Sequence, residues 1–82
     1  MPHLDYRPEV HKQFKKIPIV EQKKIIRKLE ILASEPYSGK PLQGDYEGFY
    51  SLKAWPYRII YIIEKKGILV YSIKHRQSSY KK

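Results

Sequence analysis

The stretch Tyr57-Arg58-Ile59-Ile60-Tyr61-Ile62-Ile63-Glu64 decides how the rest of this 82-residue chain is read. β-Branched and aromatic residues favour a pleated, extended backbone. Both alternating faces of the stretch are apolar except at Arg58, the pattern of a central strand covered on both sides for much of its length. Arg58 is the odd residue out. A guanidinium buried alone would cost stability, so it belongs near the strand's open end and beside an anion, either a protein carboxylate or a bound phosphate. Asp45 and Glu47 are the nearby acids that would serve the first reading, and spacing alone leaves both readings open.

Working outward, Pro56 separates this strand from a preceding one over Phe49 to Trp55. On the other side Lys65-Lys66-Gly67 makes a tight hairpin into a third strand, Ile68 to His75. An antiparallel meander results. Upstream, Pro36-Tyr37-Ser38-Gly39-Lys40-Pro41 and Gln43-Gly44-Asp45 are turn-rich, and before them the apolar period changes to that of helices. Val10, Phe14 and Ile17 predict a short amphipathic helix over Glu9 to Ile17, with Pro8 suited to its first turn. Pro18 breaks it. Gln22, Ile25, Ile26, Leu29, Leu32 and Ala33 form the stripe of a second helix from about Ile19 to Ser34, and Asp5 or Tyr6 closes a short first strand. The expected fold class is α+β: a short N-terminal strand and a two-helix antiparallel hairpin packed on a small, mainly antiparallel sheet.

Eighty-two residues with 41% hydrophobic content suffice for one core and not for two, so residues 1–82 are expected to form a single domain. The absence of cysteine excludes disulfides, thiolate metal sites and thiol nucleophiles. No stretch reaches the length of a membrane-spanning helix. The start Met1-Pro2-His3-Leu4-Asp5 lacks the basic and apolar regions of a secretory signal, so no membrane association and a cytoplasmic address are expected. Charge is more informative. Seventeen Lys and Arg against eight Asp and Glu give a net charge of +9, a field that attracts polyanions. Glu64 is the last acid, and Lys65, Lys66, Lys74, Arg76, Lys81 and Lys82 follow it, so that end is expected to face the partner.

Period-two alternation puts Phe49, Ser51, Lys53 and Trp55 on one face of their strand and Tyr50, Leu52 and Ala54 on the other. On the last strand it sends Lys74 and Arg76 to one side and Tyr71, Ile73 and His75 to the other. A cationic cluster drawn from three adjacent strands would suit a phosphodiester. The bland alternative, that Lys74 and Arg76 are edge cations discouraging aggregation, is weaker for the central Arg58. RNA cleavage without a metal needs a base for the ribose 2′-hydroxyl, cations for the phosphorane and an acid for the departing 5′-oxygen. His75 is the histidine placed beside the cluster, and imidazole suits proton transfer near neutral pH. Tyr80 offers a phenol that neighbouring cations would activate, or a ring on which a base stacks. There is no glycine-rich phosphate loop, and His3, His11 and His75 show no ligand spacing, so no metal or other cofactor is expected.

Pro41-Leu42-Gln43-Gly44, Gly48-Phe49-Tyr50-Ser51-Leu52-Lys53, Tyr57-Arg58-Ile59-Ile60-Tyr61 and His75-Arg76 followed by Tyr80 together resemble the RelE/ParE superfamily of toxins, in its usual order. The resemblance spans most of the chain, including Tyr6-Arg7-Pro8 and the Ile17-Pro18 break. It implies a toxin of a type II toxin-antitoxin system, with a cognate acidic antitoxin that wraps it and operator DNA bound only through that antitoxin. The branch resembling RelE cleaves mRNA in the ribosomal A site, which implies a ribosome-dependent endoribonuclease acting by metal-independent 2′-hydroxyl attack. By position Lys53, Arg58 and Tyr80 match its catalytic set, with His75 and Arg76 completing it and Ser51, Lys74, Lys81 and Lys82 as RNA-binding residues. Ser51 stands where RelE has a second lysine. The ParE branch, a binding inhibitor of DNA gyrase without the nuclease cluster, is the rival reading, and a non-toxic antitoxin-binding or DNA-binding relative is a third.

Overall fold

The computed structural model describes residues 3–77. Its elements run β1 (His3–Tyr6), α1 (Pro8–Lys15), α2 (Ile19–Ser34), β2 (Lys40–Pro41), a 3-10 turn (Gly44–Tyr46), β3 (Phe49–Ala54), β4 (Tyr57–Glu64) and β5 (Gly67–His75). The five strands form one sheet in the order β1-β5-β4-β3-β2, parallel between β1 and β5 and antiparallel elsewhere. The α+β expectation holds, with β4 in the centre as its doubly apolar sequence requires.

α1 is bounded by charge and by proline. Glu9 in its first turn and Lys12 and Lys15 in its last complement the helix dipole. The helix stops at Lys15 rather than at Ile17, because Pro18 drives the preceding residue out of the helical region. Ile17 is nonetheless buried, so its apolar spacing reports the core correctly. The joint is closed by Gln22 of α2, whose side-chain amide donates to the Phe14 carbonyl at 2.9 Å and to the Ile17 carbonyl at 3.0 Å. These bonds fasten the end of α1 to the first turns of α2, beside the Ile17 N–H, which donates to the same Phe14 carbonyl at 3.0 Å. α1 lies over β5 and is tied to it by the Ile73 N–H, which donates to Gln13 Oε1 at 2.8 Å.

One apolar cluster joins the layers: Val10, Ile17, Ile25, Leu29 and Leu32 from the helical side meet Leu52, Ala54, Ile59, Tyr61, Val70 and Ile73 from the sheet. Alternation therefore assigns β3 correctly, with Leu52 and Ala54 inward. Ile26 departs from the expected stripe, being 45% exposed at the rim of an apolar groove shared with Tyr6, Val10 and Phe14. α2 presents Ile25, Leu29 and Leu32 to the core and leaves Ile26 to one side.

Three features lie outside what alternation alone predicts. β2 is a two-residue strand containing proline, too short for any periodic signal. In β5 a bulge opposes Ile60 to Ser72 and Tyr61 to Val70, leaving Tyr71 extra. The bulge reverses the expected side of Tyr71, whose ring packs edge-on against Phe49 with centroids 4.9 Å apart rather than siding with Ile73. At the start of β5, Gly67 adopts a positive φ and pairs with His3, where an added Cβ would collide with the His3 backbone.

Candidate nucleic-acid interface

Register assembles the site. Lys53 lies opposite Arg58 in the β3–β4 ladder, and Arg58 lies opposite Lys74 in the β4–β5 ladder. Their neighbours Leu52, Ala54, Ile59 and Ile73 all enter the core beneath the helices, so the three cations occupy the other face of the sheet. Lys53 and Lys74 are exposed and Arg58 is half-buried. Like charges directly opposite one another oppose sheet pairing, and a row of three is an arrangement suited to a polyanion. Asp45 and Glu47, the carboxylates offered by the preceding loop, form no ion pair among the described residues.

Behind that row runs a second, Ser51 opposite Ile60 opposite Ser72, all at most 5% exposed. The hydroxyls of Ser51 and Ser72 are buried and make no hydrogen bond among the described residues. On the far side of the serines the same face turns aromatic. Tyr71 and Phe49 meet edge-on, Tyr46 meets Phe49 edge-on at 6.3 Å, and the Arg7 guanidinium sits 4.1 Å over the Tyr71 ring.

At the β2 edge the cationic row continues into a cleft of about 250 Å³ whose lining includes Lys28, Ser38, Lys40, Ser51, Lys53 and Arg58. Lys40 enters it because β2 pairs with β3 so that Lys40 faces Ser51. Lys28 arrives from α2. The loop carrying Ser38 and Lys40 is fastened from within the core: the Gly39 N–H donates to the Tyr61 hydroxyl at 2.9 Å, and that hydroxyl donates to the Pro36 carbonyl at 2.8 Å. Burial pushes the Tyr61 phenol above its ordinary range, opposed by the Gly39 hydrogen bond and reinforced by Tyr50, which stacks on it at 5.3 Å. Gly39 is a requirement of this contact, since a Cβ there would collide with the Tyr61 ring and hydroxyl.

The remaining sequence-derived candidates distribute around this centre. His75 lies opposite Tyr57, on the helix-side face at the end of β5, with the two rings edge-on at 5.2 Å. Its Nδ1 accepts from the Gln77 N–H at 3.2 Å, which leaves Nε2 to carry the proton in the neutral ring. Arg76 follows the strand rather than continuing its alternation. Its N–H donates to the Pro56 carbonyl at 2.8 Å and its guanidinium lies 5.0 Å from the exposed Trp55 ring. The structure thus brings Lys53, Arg58, Lys74 and Ser51 to one face and sets His75 and Arg76 at the same end of the sheet but outside that row. Tyr80, Lys81 and Lys82 lie outside the described residues. Lys28 and Lys40 are additions that spacing does not reveal, because Lys40 joins the cleft through the pairing of β2 and Lys28 through the placement of α2. Among the described residues no group of three or more His, Asp or Glu side chains is placed to hold a metal ion, and no helix is long and apolar enough to cross a membrane.

Residues 4–80 match the family described as ParE toxin of type II toxin-antitoxin system, parDE. No curated protein sequence matches the chain. Among solved structures, a chain of the RelBE2 toxin-antitoxin complex from Mycobacterium tuberculosis superposes with a TM-score of 0.82 at 22% identity, over 93% of this chain and 100% of that one. The isolated E. coli RelE toxin gives 0.77 at 21% identity, over 92% and 84%. A chain of the Staphylococcus aureus YoeB-YefM complex gives 0.75 at 18%, over 92% and 97%. At these identities the likeness is one of fold.

Proposed function

The chain belongs to the ParE toxin family of type II toxin-antitoxin systems, and from that premise we propose that it is a ribosome-dependent endoribonuclease of the RelE kind, cutting mRNA in the ribosomal A site. The observation that carries this reading is the row Lys53, Arg58, Lys74, three cations in register on one open face of the sheet. In the proposed reaction the ribose 2′-oxygen attacks the adjacent phosphorus. The bond to the 5′-oxygen breaks, leaving a 2′,3′-cyclic phosphate and a free 5′-hydroxyl. Arg58 and Lys53 hold the scissile phosphate and offset the charge of the phosphorane, while Lys74 and Arg76 assist. Tyr80 or His75 takes the 2′-hydroxyl proton and returns one to the leaving oxygen. Ser51, Lys81 and Lys82 bind the RNA strand. No metal takes part, because fixed guanidinium and ammonium groups supply the positive charge.

Few acid-base groups surround the row, and the ribosome supplies the missing orientation of substrate. The working partner in the cell is thus the ribosome with its mRNA, in the cytoplasm. The regulatory partner is a cognate acidic antitoxin, disordered in part when free, that covers the basic face and carries the complex to operator DNA. Primer extension on mRNA from cells expressing the chain tests the proposal: codon-linked cuts are expected. The family match itself favours a second reading, inhibition of DNA gyrase by binding. Absence of cuts together with blocked supercoiling would decide for it.

A further inference from the structure

We propose that the cleft at the β2 edge is a second phosphate subsite, in which Lys40 and Ser51 bind the phosphodiester next to the scissile one, with Lys28 on its flank. The inference rests on the nuclease reading for its substrate class and adds the residues that read a second link of the strand.

Four observations support it. The cleft is continuous with the Lys53–Arg58 pair and shares both residues with it, so one strand can run through both. Ser51 is 5% exposed, lines the cleft, and its buried hydroxyl makes no hydrogen bond among the described residues. A buried hydroxyl left without a partner is unfavourable, and a phosphate oxygen in the cleft would accept from it. Lys40 pairs with Ser51 across β2 and β3, and with Lys28 it brings two further cations to a space already walled by Lys53 and Arg58. The spacing also fits. Ser51 and Lys53 are two residues apart on one face of β3, about 7 Å at the rise of an extended strand, the scale that separates consecutive phosphates on an extended nucleic-acid chain.

The subsite is positioned by the Tyr61 fastening. Ser38 and Lys40 flank Gly39, whose N–H is held by a phenol that is fully buried. The loop that carries the second lysine is therefore anchored to the central strand rather than left to sample the solvent.

The test uses two non-cleavable ligands with unphosphorylated ends, a 2′-O-methyl dinucleotide with one phosphodiester and a trinucleotide with two. Both are titrated at low salt into the full chain, followed by backbone amide NMR. The wild-type chain is expected to bind the trinucleotide about tenfold more tightly, the scale of one more charge-assisted contact, with shifts at Lys40 and Ser51 seen for the trinucleotide only. Lys40→Ala, an exposed position with no stake in the core, is expected to remove that increment and leave dinucleotide binding unchanged. Equal affinity of the wild type for both ligands, or an increment that survives Lys40→Ala, overturns the subsite. Ribosomal cleavage is scored separately. Codon-linked cuts beside a surviving increment sink the subsite alone, and an increment lost in Lys40→Ala beside absent cuts sinks the nuclease reading alone.

Discussion

Lys53 stands directly opposite Arg58 across the β3–β4 ladder, cation facing cation. Such a pair opposes folding by about 0.2–1 kcal/mol relative to a neutral one. Lys53→Met should raise the urea midpoint slightly while cleavage falls, a stability gain at the expense of activity. A mutant that loses both would show that Lys53 serves the fold instead.

Arg58→Ala removes the central cation of the row. Cleavage should fall by about 100-fold or more, the scale seen when one donor to a developing oxyanion is deleted. The circular dichroism spectrum should be unchanged. Unfolding would assign the guanidinium a structural role.

An anion site should also declare itself thermodynamically. Phosphate at ten times its dissociation constant would stabilise the chain by about 1.4 kcal/mol, several degrees in Tm for a chain of this size. Chloride at equal ionic strength should not reproduce the shift. Arg58→Ala should abolish it, and a shift that persists in that variant would place the anion elsewhere.

Tyr61→Phe deletes the hydroxyl shared by Gly39 and Pro36. Leaving those backbone groups without it should cost about 1–3 kcal/mol. The variant should also change the alkaline limb. The phenol of Tyr61 is raised by burial, so folding favours its protonated form. Its contribution is complete below the ordinary tyrosine value of about 10 and disappears as pH rises through the higher folded value. Denaturation midpoints measured across that range should fall more steeply for the wild type than for Tyr61→Phe.

His75 lies on the helix-side face against Tyr57, away from the cationic row. His75→Gln is accordingly expected to slow cleavage less than Tyr80→Phe does. Single-turnover rates on programmed ribosomes would decide, and the reverse ranking would assign proton transfer to the histidine.

The strands were legible because β4 is apolar on both faces, which admits only a central position, and because Pro56 and Gly67 mark its neighbours. β2 was not, since two residues carry no period. Tyr71 was misassigned for a different reason: strict alternation has no signal for an inserted residue, and only the paired strand reveals where the count slips. The site followed the same division. Alternation placed Lys53, Arg58 and Lys74 each on one side of its own strand and the registers bring those sides together, whereas Lys40 and Lys28 reach the cleft through the β2 pairing and the placement of α2. Arg76 lies beyond the strand, which stops at His75, and its guanidinium settles over Trp55.

The parallel pairing of β1 with β5 joins His3 to Gly67, segments far apart along the chain. During synthesis β1 has no partner until β5 has left the exit tunnel, and Lys74 completes the cationic row in that same segment. The sheet and the cationic row are therefore both completed late, after nearly all of the described chain has been released.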